Sequence, residues 1–146
     1  MAIIEDLATR QDLAKRIGKR HDSQLVLASL HQASATGATP LIFHSDQGTE
    51  FMAQRCTDYL DERGVQISVS DVGSPWQNGY VESFFGRLKH ELGDLNRFAS
   101  AGEMIEATYR PIYYYNHNRI HTALNIPPAV HAAQMFSDTC LHALGT

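Results

Sequence analysis

The chain has 146 residues, 43% of them hydrophobic and 19% charged, which is enough for one core and too little for two. No stretch approaches the roughly 18 apolar residues of a membrane span, and no basic, apolar, small-residue signal segment opens the sequence, so a cytoplasmic protein is expected. The net charge of −4 argues against a simple binder of nucleic acid, which needs Lys and Arg to neutralise phosphate, yet it is unevenly spread: residues 1–20 hold five of the twelve basic residues, while residues 21–82 hold eight acids against two bases.

Residues 1–20 admit two readings. AIIEDLA suits a strand, but Ile3, Leu7, Ala14 and Ile17 stand near helical spacing and propensity favours a helix. Residues 22–36 predict a helix capped by Asp22 or Ser23 and ended by Gly37. PLIFHSD predicts a buried strand that ends at Asp46. Residues 51–63 predict a helix stopped by Gly64, VQISVS alternates as a strand, and DVGSPWQN is a loop. Asn78 then caps a long helix whose Val81, Phe85, Leu88, Leu92 and Leu95 form a buried stripe. Ser100 and Glu103 make a capping box for the next helix, which Pro111 should kink or end. Pro127-Pro128 open a last helix that runs to about Ala133. Cys56 and Cys140 lack CxxC spacing and read as reduced bystanders.

Two acids stand out, Asp46 and Glu82, with thirty-five residues between them. A carboxylate at a strand end is held by the sheet and open to solvent, which suits a divalent cation. An Asp near Gly48 serves equally well as a turn former. Glu82 falls in a first helical turn, where the helix dipole favours the ionised form; such a Glu is also an ordinary dipole complement. Lys89 lies two turns beyond Glu82 on the same face, placed for a phosphate or simply solvated. Asn78 offers its amide to a nucleotide or merely caps the helix. His44 stands two residues before Asp46, on the same side of a strand, and reads as a core histidine or a support for the acid. Trp76 either stacks on a base or anchors its loop. His117 and His121 have the i, i+4 spacing of zinc ligands but lack the HExxH pattern.

Taken together, HSDQGTEF, SPWQNGYVESFFGRLKHEL and YYNHNRIHTALNIPPA resemble bacterial insertion-sequence transposases of the retroviral-integrase superfamily, in register from about Leu25 to about Val130. The resemblance implies a ribonuclease-H-like α/β fold, a mixed five-stranded sheet flanked by helices. It also implies two-metal phosphoryl transfer on DNA, in which three acids of the DDE type hold magnesium or manganese. On this resemblance Asp46 is the second acid and Glu82 the third. Asn78 and Lys89 match positions that contact the transposon end, and Arg119 and His121 are structural.

The sequence departs from the family at its start. The first catalytic aspartate belongs to a Trp–x–x–Asp-like first strand, and no such stretch is present. IIEDLATR fits the second strand, so Asp6 aligns with a non-catalytic aspartate, and QDLAKRIGKR stands in place of a Val/Gly/Trp-rich third strand. The amino-terminal helix-turn-helix region that usually precedes such cores is also missing. The expectation is therefore a single partial core over residues 1–146, with its first central strand missing and a helix-rich C-terminal half. Two carboxylates alone should hold Mg²⁺ weakly, because it sheds water reluctantly and demands near-octahedral oxygen ligands. Read this way, the chain is a fragment of a DDE transposase core for DNA integration, associated with the nucleoid and inactive alone. Its expected partners are transposon-end and target DNA, together with an intact transposase or a second copy. Two alternatives remain open: an active enzyme with Asp6 as substitute first acid, and an inhibitor that binds DNA or transposase without catalysis.

Overall fold

A computed structural model describes residues 1–37 and 39–143, with the side chains of Pro75 and of residues 138–143, Cys140 among them, outside that description. Strand β1 (Ala2–Asp6) pairs with β2 (Gln11–Arg16) across a four-residue turn, a connection so short that the pair is antiparallel. Asp6 builds the turn. Its carboxylate accepts from the backbone N–H of Ala8 (3.1 Å) and Thr9 (3.3 Å) and from Thr9 Oγ1 (2.6 Å). Arg10 closes it at φ 62°, with its N–H donating to the Asp6 carbonyl at 2.7 Å.

The helix expected over residues 1–20 is therefore a hairpin. Local bonds from Asp6 outweigh weak helical spacing, and β-branched Ile3 and Ile4 favour the extended form. QDLAKR, read as a replacement for a strand, is itself a strand whose Asp12 and Ala14 alternate inward.

The remaining elements follow in order: α1 (Ser23–Ser34), β3 (Ile42–Ser45), α2 (Gln54–Asp61), β4 (Gln66–Val69), a 3₁₀ turn (Pro75–Asn78), α3 (Gly79–Leu92), a short 3₁₀ turn (Leu95–Arg97), α4 (Ala101–His117) and α5 (Pro128–Ala143). Asp22 caps α1 by accepting from Leu25 N–H at 3.0 Å, and Gly37 and Gly64, at φ 89° and 67°, end the first two helical segments. Strands β3 and β4 pair in parallel, Ile42 opposite Gln66 through Ser45 opposite Val69, with α2 as the crossover that parallel pairing requires.

The four strands among the described residues thus form two separate two-stranded sheets. The exposure of β3 corrects the expectation that PLIFHSD is buried. With a ladder partner on one edge only, Leu41 is 86% exposed and Ile42 56%.

The chain packs as two compact units, residues 1–4 with 13–86 and residues 5–12 with those from Arg87 on. The first is centred on Val26 and Leu30 of α1, Cys56, Tyr59 and Leu60 of α2, and Val65. Ile4, Phe43, Phe51 and Ile67 pack against that cluster. Burial raises the pKa of the Cys56 thiol, as suits a reduced core residue.

In the second unit α4 packs on α5. Ser100 Oγ accepts from Glu103 N–H, while the Glu103 carboxylate accepts from Ala99 N–H, one residue earlier than in a standard capping box. Helix α4 runs through Pro111 instead of ending there. The loss of one N–H is offset by the buried face of Thr108, Ile112, Tyr115 and Asn116. Helix α5 continues ten residues past the predicted end. On α3 the buried residues are Phe84, Leu88 and Leu92, one set of i, i+4 neighbours. Val81 and Leu95 of the expected stripe are exposed, and Gly93 at φ 61° stops the helix before Leu95.

Residues 5–12 contribute two buried polar features to the second unit. Asn116 accepts from Asp12 N–H (3.0 Å) and donates to the Asp12 carbonyl (2.9 Å), both bonds buried. Asn116→Ala removes both buried bonds and is expected to cost on the order of 2 kcal/mol; urea unfolding measures this, and an unchanged midpoint would refute it.

Glu5 is the second. Burial raises its pKa from 4.5, against the pull of Arg87 and Arg10 and with a small push from Asp6, and its Oε2 has no hydrogen-bond partner. A raised folded pKa means stability that is full below 4.5 and lost as pH rises through the folded value. Glu5→Gln should therefore melt higher than the parent at neutral pH and lose that pH dependence. A lower melting temperature for Glu5→Gln at neutral pH would contradict the argument.

Candidate metal and DNA site

Asp46 follows β3 directly and is exposed. Its Oδ1 accepts from Gly48 N–H at 2.9 Å, the turn-forming bond that the sequence allowed. Gly48 is there for space. A Cβ on it would lie 2.9 Å from Asp46 Oδ1 and 3.0 Å from the Glu50 carboxyl, and Glu50 is itself paired with His21 Nδ1 at 2.7 Å. His44, two residues before the acid, is exposed rather than a core residue, and its Nδ1 lies 2.9 Å from Ser68 Oγ on β4.

Glu82 lies in the first turn of α3 and is exposed. Asn78 stands immediately before α3, in the position predicted for a cap, and its amide nitrogen donates to Ser70 Oγ at 2.9 Å. Lys89 is exposed in the last turn of the same helix. Trp76 is 73% exposed, so it does not anchor its loop in a core.

Ser70 links the two acid-bearing segments, and nothing in the sequence marked it. It is buried at the end of β4. Its N–H donates to the Ser45 carbonyl at 3.0 Å, its carbonyl accepts from Gln47 Nε2 at 3.3 Å, and its hydroxyl receives the Asn78 amide. Both neighbours of Asp46 and the residue one turn before Glu82 are therefore bonded to one serine. Gln77 secures the intervening loop, accepting from Asp71 N–H at 2.7 Å and donating to its carboxylate at 3.0 Å. A serine before an Asp-Val-Gly-Ser loop reads only as loop chemistry, because the bonds it makes join residues far apart in sequence.

Both carboxylate oxygens of Asp6 are engaged in the hairpin turn, and no group of three His, Cys, Asp or Glu among the described residues is placed to hold a metal. His117 stacks on Tyr113 at 4.2 Å. His121 has its pKa lowered by burial and by Arg10, Arg87 and Arg119, and its Nδ1 accepts from Ala123 N–H at 3.3 Å. Arg119 pairs with Glu91 at 3.5 Å. No helix among the described residues is long and apolar enough to cross a membrane.

The chain is 34% identical over 123 residues to a transposase-like protein of Haemophilus influenzae, a match that covers 83% of this chain and 56% of that protein. It is 30% identical over 128 residues to the transposase for insertion sequence element IS904 of Lactococcus lactis, covering 86% and 51%. The chain thus spans about half the length of the curated relatives it matches. In three dimensions it is similar to the HTLV-2 integrase catalytic core domain in complex with magnesium, with a TM-score of 0.68 at 16% identity over 86% of this chain and 79% of that one. That likeness bears out the ribonuclease-H-like fold. Two models described as an integrase core domain match residues 1–75 and 63–128. With their overlap, they extend the likeness back through the hairpin to Met1. The chain belongs to the integrase core domain family, in the form carried by the transposases of bacterial insertion sequences.

Proposed function

We propose that this chain supplies the Asp46 and Glu82 part of a magnesium- or manganese-dependent site that cuts DNA and joins it to new ends, within a transposase. The observation that supports this most is the tie between the two acids' segments. In a chain of the integrase core family, a strand end and a helix start that carry exposed carboxylates are bonded to the same buried serine.

The donors fit a hard cation in kind. An ionised carboxylate offers about four lone-pair positions, and Asp46 spends one of them on Gly48 N–H. They fall short in number, since two acids balance half the charge of two divalent ions. A third acid must then come from outside residues 1–146. Once bound, the ion would activate the attacking oxygen and offset charge on the phosphate.

The chain's own residues have separate tasks. Asp46 and Glu82 hold the cation, Lys89 offers its ammonium to a backbone phosphate, and Asn78 presents to the transposon end what its bond to Ser70 leaves free. Trp76 is exposed for stacking on an unpaired base. The acidic middle of the chain is in keeping with a metal-dependent DNA enzyme, because the bound cation reverses the local charge.

Incubated alone with Mg²⁺ or Mn²⁺ and transposon-end DNA, the chain is expected to give no strand transfer. It should bind Mn²⁺ weakly, and Asp46→Ala or Glu82→Ala should abolish that binding, read by electron paramagnetic resonance. Strand transfer by the chain alone, lost in Asp46→Ala, would overturn the need for a third acid.

Gly48→Ala tests the local geometry. The new methyl displaces the Asp46 or the Glu50 carboxylate, so Mn²⁺ affinity should fall about tenfold, at the low end for residues that orient metal ligands. Unchanged affinity would mean that the turn does not set the position of Asp46.

A further inference from the structure

We infer that Ser70 is the positioning residue of this site, holding the Asp46 strand end and the Glu82 helix start in one geometry through its backbone and its hydroxyl. The inference rests on the metal-site reading above and adds a residue to it. Three observations carry it.

The backbone of Ser70 brackets Asp46 on both sides: its N–H donates to the Ser45 carbonyl at 3.0 Å, and its carbonyl accepts from Gln47 Nε2 at 3.3 Å. The hydroxyl accepts from Asn78 Nδ2 at 2.9 Å, and it has the Ser45 carbonyl at 3.5 Å for its own proton. Finally, Ser70 is buried, whereas both acids are exposed.

The division of labour follows from these facts. An exposed carboxylate on a free loop samples many positions, and a cation must pay for ordering it. Here the ordering is done beforehand by bonds hidden from solvent. A buried hydroxyl between an amide donor and a carbonyl acceptor has its proton and one lone pair engaged and resists rotation. Asn78 lies four residues, about one helical turn, before Glu82, so fixing Asn78 fixes the start of α3 and with it the direction in which Glu82 leaves the helix.

The backbone bonds survive any side-chain change, so the hydroxyl can be tested alone. Ser70→Ala removes the acceptor for Asn78 and leaves the strand pairing intact. Asn78→Ala removes the donor. If the two residues act through one bond, their effects are not additive.

The experiment measures Mn²⁺ affinity by electron paramagnetic resonance for the parent chain, Ser70→Ala, Asn78→Ala, the double variant and Ser70→Thr, each first shown to be folded by circular dichroism. Amide hydrogen exchange is followed in the same metal-free proteins. We expect each single alanine variant to bind Mn²⁺ about tenfold more weakly. The double variant should be no weaker than either, and Ser70→Thr, which keeps the hydroxyl, should stay close to the parent. Exchange should quicken at residues 77–82 in Ser70→Ala and not in Ser70→Thr.

Parent-like affinity and exchange in Ser70→Ala would overturn the inference while leaving the metal site standing. So would fully additive losses in the double variant. Mn²⁺ binding in the parent that neither Asp46→Ala nor Glu82→Ala weakens would overturn the metal-site reading, and the positioning role with it.

Discussion

The parallel pairing of β3 with β4 is the constraint on which the site depends. Parallel strands cannot be joined by a tight turn, so α2 must intervene, and its Cys56, Tyr59 and Leu60 give the first unit its core. The pairing brings Ser45 opposite Val69, and the next residue on each strand then lies beyond the last ladder position. Those residues are Asp46 and Ser70. The acid and the serine are thus neighbours by register, though twenty-three residues separate them in sequence. Ligand sites in sheets of this kind lie outside the carboxyl ends of the strands for the same reason, because backbone groups released there are free to order side chains and loops.

Much of the fold was legible in local chemistry. Asp22 and Gly37 bound α1, Gly64 ends the α2 segment, Ser100 caps α4, and Pro127-Pro128 precede α5, all as the residue types imply. The first twenty residues were not legible from propensity, because the hairpin rests on a turn at Asp6 and Thr9 and on Arg10 with positive φ. An arginine in that conformation leaves no trace in a propensity reading. The α3 stripe was misread for a related reason. Phe84 and Phe85 are adjacent aromatics, and period alone does not say which of the two faces the core. Burial chose Phe84.

The site was half legible. Asp46 and Glu82 are visible because the residues around them form words, and those words lie within single segments. Ser70 and Gln47 were silent. Their bonds cross from β3 to β4, and each residue on its own is an ordinary polar loop residue. His44, read as a core residue or a support for the acid, faces solvent beside Ser68, and His117, whose spacing lacks the HExxH pattern, lies against a tyrosine ring. An imidazole near an acid or at helical spacing is common, so spacing without convergence is weak evidence.

The chain's two turn-forming aspartates differ in how much of each carboxylate the turn engages. Asp6 and Asp46 both stand where a strand gives way to a turn, and both accept a backbone N–H two residues on. Asp6 goes further and accepts from Thr9 twice, which engages its second oxygen and ties the carboxylate to the hairpin. Three of the roughly four lone-pair positions of Asp6 are thus taken by the turn. Asp46 is in the opposite condition. A single bond to Gly48 holds one oxygen, and the missing Cβ of that glycine is what lets the carboxylate lie so close to the backbone. The surrounding bonds are made by Ser45 and Gln47 instead of by the acid. Orientation is supplied by the neighbours, and the charge of Asp46 stays free for a ligand.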